Sequence, residues 1–184
     1  MGGQRGVARP WGAHLDGGGR KKVPYHLSFG GPLVGCSNAE DDEGMGERSL
    51  RQSYEAIIRA VVAADEDALD RLIAENIVDH NAVPGQAPGR DGIKYWMAMM
   101  QDAFADLTGV VEDTVVEGDK IAARVTWHGT HRGDFVGVPG TGAPVAMQTV
   151  QILKFADGMA SEWWGTADVF GALHQVGARV VPPT

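Results

Sequence analysis

Hydrophobic positions along this chain change their period twice. From about Glu47, the residues Tyr54, Ile57, Ile58, Val61 and Val62 recur at spacings of three and four, which marks one face of an amphipathic helix. Ala64-Asp65-Glu66-Asp67 interrupts that pattern, and Asp65 or Asp67 is placed to cap a short second helix carrying Leu69, Leu72 and Ile73. Ile77-Val78-Asp79-His80-Asn81 comes next, followed by the loop Pro84-Gly85-Gln86-Ala87-Pro88-Gly89. Asp91 is read as the cap of a third helix, whose apolar side holds Ile93, Trp96, Met97, Met100 and Phe104.

Beyond Phe104, alternation replaces the helical period. Residues 110–117 and 120–132 flank the turn signal Glu117-Gly118-Asp119-Lys120, and 143–155 and 159–168 flank Ala156-Asp157-Gly158. Both read as β-hairpins. A last helical piece, 169–176, stops at Gly177, a natural C-terminal cap. Helices followed by a meander of long antiparallel strands predict an α+β fold, with the helices covering one face of a curved sheet.

Composition divides the chain. Residues 1–46 hold 12 of the 26 glycines, with five basic and five acidic residues, and show no regular apolar period. This segment is read as a Gly-rich, disordered N-terminal extension, and 47–184 as a single domain. The domain carries the whole net charge of −8. It lacks the clustered Lys and Arg that phosphate binding needs, so no nucleic-acid partner is expected. The one cysteine, Cys36, excludes an internal disulfide framework. Arg20-Lys21-Lys22 followed by Leu33-Val34-Gly35-Cys36 has the outline of a lipoprotein signal. Pro24, His26, Ser28, Gly30, Gly31 and Pro32 spoil its apolar centre, so lipid attachment through Cys36 is not the expectation and a cytoplasmic location is.

Candidate chemistry follows from strand geometry. Residues two apart on a strand share a face, which groups Glu162, Trp164, Thr166 and Asp168, barring a bulge, and Trp127, Gly129, His131 and Gly133. If both faces turn inward, a carboxylate, a histidine and tryptophan surfaces meet in one concavity. A carboxylate there has its acidity weakened by burial and can shuttle protons near neutral pH. Asp168 also precedes the last helix, so an N-cap role stands beside the chemical one. His131 reads equally as a core histidine, and His80 as a pocket residue or a local turn partner. His128 and His131 fall on opposite strand faces and no metal-ligand spacing occurs, so no metal site is expected.

Several short pieces occur in one order: Val78-Asp79-His80, Ala103-Phe104-Ala105-Asp106, Glu117-Gly118-Asp119-Lys120-Ile121 and 129–137 with His131 and Phe135. After them come Thr141-Gly142, Phe155-Ala156-Asp157-Gly158, Glu162 with Trp164 and Asp168, and Gln175-Val176-Gly177. Through them, about residues 50–178 resemble the SnoaL-like polyketide cyclases of the nuclear transport factor 2-like superfamily. The resemblance implies a cone-shaped antiparallel sheet enclosing a hydrophobic cavity, and a homodimer. It implies a cyclase or isomerase type of enzyme that closes rings by intramolecular aldol condensation without cofactor or metal. It places Asp168 where the family has its acid/base aspartate, and His131 and His80 at recurrent positions. Trp127, Trp164, Trp96, Phe135 and Met100 are then the expected walls around a small hydrophobic molecule. Ala105 departs from the proline common in relatives. The superfamily also contains isomerases, dehydratases, epoxide hydrolases and pure binders, so a non-catalytic binding protein is the alternative.

Overall fold

A computed structural model describes residues 39–179. Cys36 and all of the expected extension except 39–46 lie outside the described residues. The described chain runs α1 (Ala39–Ala63), α2 (Glu66–Leu72), β1 (Ile73–Asp79), α3 (Arg90–Ala103), β2 (Phe104–Glu117), β3 (Lys120–His131), β4 (Pro144–Ala156), β5 (Met159–Ala167) and α4 (Val169–Gln175). Helix α1 thus begins at Ala39 rather than near Glu47, in a stretch with no apolar period to reveal it.

Local chemistry accounts for most boundaries. Asp65 starts α2 by accepting the Ala68 N–H at 2.9 Å, the expected cap. Helix α3 corrects the expectation for Asp91. Gly89 is its N-cap, no side chain caps it, and Asp91 lies in the first turn, where its charge still meets the positive end of the helix dipole. Both hairpins close with two-residue loops, Glu117 pairing with Lys120 and Ala156 with Met159. Asp157 and Gly158 both take left-handed backbone angles, φ 51° and 78°, the combination that follows the twist of the flanking strands.

Two departures bear on the site. Phe104 ends the helix instead of belonging to it: its backbone is extended at φ −125°, and it pairs with His131 at the start of a longer β2. The sheet is also mixed. Its order is β1-β5-β4-β3-β2, and β1 lies parallel to β5, an edge strand added to the expected antiparallel meander. Ile73 and Ile77 are buried, and that burial fixes β1 under the helices. The five strands curl without closing. Along β4, every second residue from Val145 to Phe155 is buried. The apolar members of that set, Val145, Met147, Leu153 and Phe155, join Tyr54, Ile57 and Ile58 of α1 and Ile93, Met97 and Met100 of α3 in one core.

Candidate functional site

A cavity of about 280 Å³ lies between the inner face of β4–β5, α3 and the loop after β1. Ile93, Trp96, Trp163, Val83 and Val169 supply apolar wall; Asp79, Asn81, Gln86, Thr149, Gln151 and Thr166 supply polar atoms. Trp163, rather than Trp164, faces it because β5 carries an extra residue. Lys154 pairs with Glu162, but the next residue, Phe155, pairs with Ala160, leaving Ser161 bulged out of register. The bulge shifts the alternation by one, so Ala160 and Trp163 are both buried.

The loop after β1 is tied to the sheet by its own polar groups. The Asp79 carboxylate accepts the Asn81 backbone N–H at 2.9 Å and the Gln86 amide at 2.7 Å. Gln86 in turn accepts the Val83 N–H at 3.0 Å. Asn81 Oδ1 accepts the Gly165 N–H at 3.1 Å, which fastens the loop to β5. Deeper, Tyr54 donates to Gln151, and Gln151 and Trp127 both donate to Thr149.

A family model for SnoaL-like polyketide cyclases matches residues 49–176. The chain belongs to that family. Among solved structures, TsrD from Streptomyces laurentii is 28% identical with a TM-score of 0.67, over 72% of this chain and 97% of its own. IdmH from Streptomyces antibioticus, a candidate polyketide cyclase, is 32% identical with a TM-score of 0.62, over 70% of this chain and 98% of its own. AclR from Streptomyces galilaeus, a candidate hydroxylase, is 28% identical with a TM-score of 0.62, over 72% and 97%. No curated protein matches the sequence.

The SnoaL-like domain distributes the residues singled out from sequence over three regions. Trp96 lines the cavity. Trp127 stands behind it, its ring edge-on to Trp96 at 5.7 Å and its Nε1 on Thr149. Met100, His131 and Phe135 are buried in the core, away from the cavity lining. His131 packs beside Phe104 and Phe135, with Nδ1 3.0 Å from the Thr141 hydroxyl and Nε2 buried without a partner among the described residues.

His80 and Trp164 lie on the opposite face of the sheet, stacked in parallel at 4.2 Å, with the Lys120 ammonium 5.7 Å from the indole. Glu162 joins them, its two oxygens 3.0 Å from His80 Nε2 and Lys154 Nζ. The hydrogen bond from His80, then that from Lys154, holds the Glu162 carboxyl below its ordinary range.

Asp168 sits at the rim, between the lining residues Ala167 and Val169. It is exposed and caps α4, with Oδ1 accepting the Gly171 N–H at 2.8 Å. Gly171 leaves room for the carboxylate in that position: a Cβ there would come within 2.1 Å of Asp168 Oδ2 and push the side chain aside. Among the described residues, Asp79 is the one ionisable side chain lining the cavity, whereas the sequence pattern points to its neighbour His80. The signal for Thr149 and Gln151 was present, since they are two polar residues within the apolar alternation of β4.

Among the described residues, no three His, Cys, Asp or Glu side chains group to hold a metal ion. No described helix is long and apolar enough to cross a membrane.

Proposed function

We propose that this domain is a cofactor-independent cyclase or isomerase that accepts a small hydrophobic carbonyl compound in the cavity and moves one proton with a carboxylate. The observation that carries this reading is the cavity itself. Its roughly 280 Å³ lies just below the ~300–1,000 Å³ usual for small-molecule sites, and aromatic walls with a few convergent polar groups are their usual lining.

In the cyclase form, a carboxylate removes a proton α to a carbonyl. The enolate carbon then attacks a second carbonyl carbon in the same molecule, and the resulting alkoxide takes the proton back. Nothing is consumed beyond the substrate. Held reactive ends supply much of the acceleration, since oriented intramolecular reactions reach effective molarities on the order of 10⁵ M or more.

Asp168 is the carboxylate of this proposal. Gly171 occupies one of its oxygens at the rim, which leaves the other for substrate. Asp79 is its rival because it lines the cavity, although both of its oxygens already accept hydrogen bonds. The second reading, a non-catalytic binder of a hydrophobic metabolite, is favoured by the same fact: both carboxylates are already engaged in structural contacts.

Asp168→Asn separates these readings cleanly, because Asn caps helices about as well as Asp. Aromatic keto-esters with acidic α-hydrogens, incubated in D₂O, report proton removal and ring closure by NMR. The expected result is a loss of roughly a hundredfold or more in Asp168→Asn, the usual scale of acid/base contributions, with thermal stability unchanged. If Asp79→Asn abolishes exchange and Asp168→Asn does not, the proton transfer belongs to Asp79. If the wild type shows no exchange and native mass spectrometry recovers an unaltered ligand, the protein is a binder.

A further inference from the structure

The inner face of β4 places Thr149 and Gln151 among Val145, Met147, Leu153 and Phe155, all buried. A buried amide brings two N–H donors and an acceptor oxygen that must find partners. Gln151 Oε1 accepts the Tyr54 hydroxyl at 2.8 Å, and Gln151 Nε2 donates to Thr149 Oγ1 at 3.2 Å. Its second N–H has no partner among the described residues, and Gln151 lines the cavity.

The neighbours fix which end of the amide is which. Trp127 Nε1 can only donate, and it does so to Thr149 Oγ1 at 3.1 Å, so that oxygen accepts. The threonine's own proton is left for the Val125 carbonyl at 3.4 Å. Tyr54 is fully buried, and burial pushes its phenol above the ordinary range, so the hydroxyl keeps its proton. That proton has a single acceptor, Gln151 Oε1. Turning the amide over would aim an N–H at Tyr54 and leave the phenol proton without an acceptor.

We propose that Gln151 is the hydrogen-bond donor to a ligand carbonyl in the cavity, with Tyr54 and Thr149 as positioning residues that hold its free N–H toward the ligand. The assignment rests on the reading of the cavity as a site for carbonyl compounds. The ligand class is a neutral or enolised ketone, whose oxygen accepts that N–H. A cationic ligand would meet the wrong end of the amide. In an enolising reaction the same N–H faces the oxygen on which negative charge develops, and a fixed donor there lowers the barrier without having to reorganise.

The test uses 2-acetylnaphthalene labelled with ¹³C at the carbonyl, bound to the full-length protein and followed by infrared difference spectroscopy. In the wild type, the carbonyl stretch is expected well below its position in hexane. Gln151→Met keeps the length of the side chain and removes the N–H. It should return the band toward the hexane position and weaken binding by about tenfold, the scale of one hydrogen bond. Tyr54→Phe should broaden the band, since the amide loses the contact that orients it, and Asn81→Leu should leave the band low.

A hexane-like band in the wild type overturns the proposal without recourse to any variant. So does an equal band in bound Gln151→Met, or a shift released by Asn81→Leu. Failure of the wild type to bind the ketone at all means that the cavity reading has failed first, and this proposal falls with it.

Discussion

Glu162 shows how much one side chain can be asked to do on the face of the sheet away from the cavity. Its carboxyl is held below the ordinary value of 4.5 by His80 first and Lys154 second. A depressed carboxylate stabilises the fold above its unfolded value, and that contribution disappears as pH falls through the folded value. Melting temperature should therefore drop faster in the wild type than in Glu162→Gln as pH falls below about 4.5, and the two curves should converge in strong acid. Parallel curves would mean that the contacts of Glu162 carry no net stabilisation, a common outcome for exposed pairs. At this scale the sequence was unevenly legible. Asp168 could be read as a helix cap from its place before α4, and Trp127 and His131 as inward residues from alternation. Unbroken alternation selects Trp164 over Trp163 as the inward tryptophan and is wrong there, because the phase depends on the Ser161 bulge, and a bulge is a property of two paired strands.

The loop from His80 to Gly89 behaves as an element of its own, pinned at Asp79, Asn81 and Gln86. The 2.7 Å bond between Asp79 and Gln86 lies in a shared wall. Both residues line the inner cavity and also a groove of about 920 Å³ along the outside of β1. Gln86→Ala removes that partition and two of the loop's hydrogen bonds. Stopped-flow mixing with 2-acetylnaphthalene should show both association and dissociation accelerated several-fold. The melting temperature should fall by only about 2–4 °C, as for the loss of roughly 1 kcal/mol. Unchanged rates would place the ligand's entry elsewhere, at the Val169 side of the rim. The hairpins, α2 and α4 were all readable beforehand, since turn residues and caps act within a few positions. The edge strand β1 was not. Its partner β5 is distant in sequence, its pairing is broken between Ile73 and Val78, and nothing within seven residues announces a parallel neighbour.

For the molecule as a whole, the outer face of the sheet is the surface that needs explaining. Val78, Val150 and Ile152 are 50%, 49% and 39% exposed. Ile152 pairs with Trp164 on one side and Ala122 on the other, which makes the apolar surface continuous across three strands. Contiguous apolar surface of this kind usually marks an interaction site, which makes this face the one to test for the homodimer expected from the sequence. Charged neighbours border it: Glu162 with Lys154, and Arg124 bonded to Asp113. Two copies each carrying a net charge of −8 repel one another, so a dimer on this face needs apolar burial that outweighs the repulsion, and added salt should strengthen its association by screening it. Sedimentation equilibrium should then find a dimer that tightens between low and moderate salt. Ile152→Asp should be monomeric, since it would bury an unpaired carboxylate at the centre of the interface, and circular dichroism should remain that of the wild type. A dimer that survives Ile152→Asp would move the interface off this face. A monomeric wild type would leave the apolar patch to some other partner.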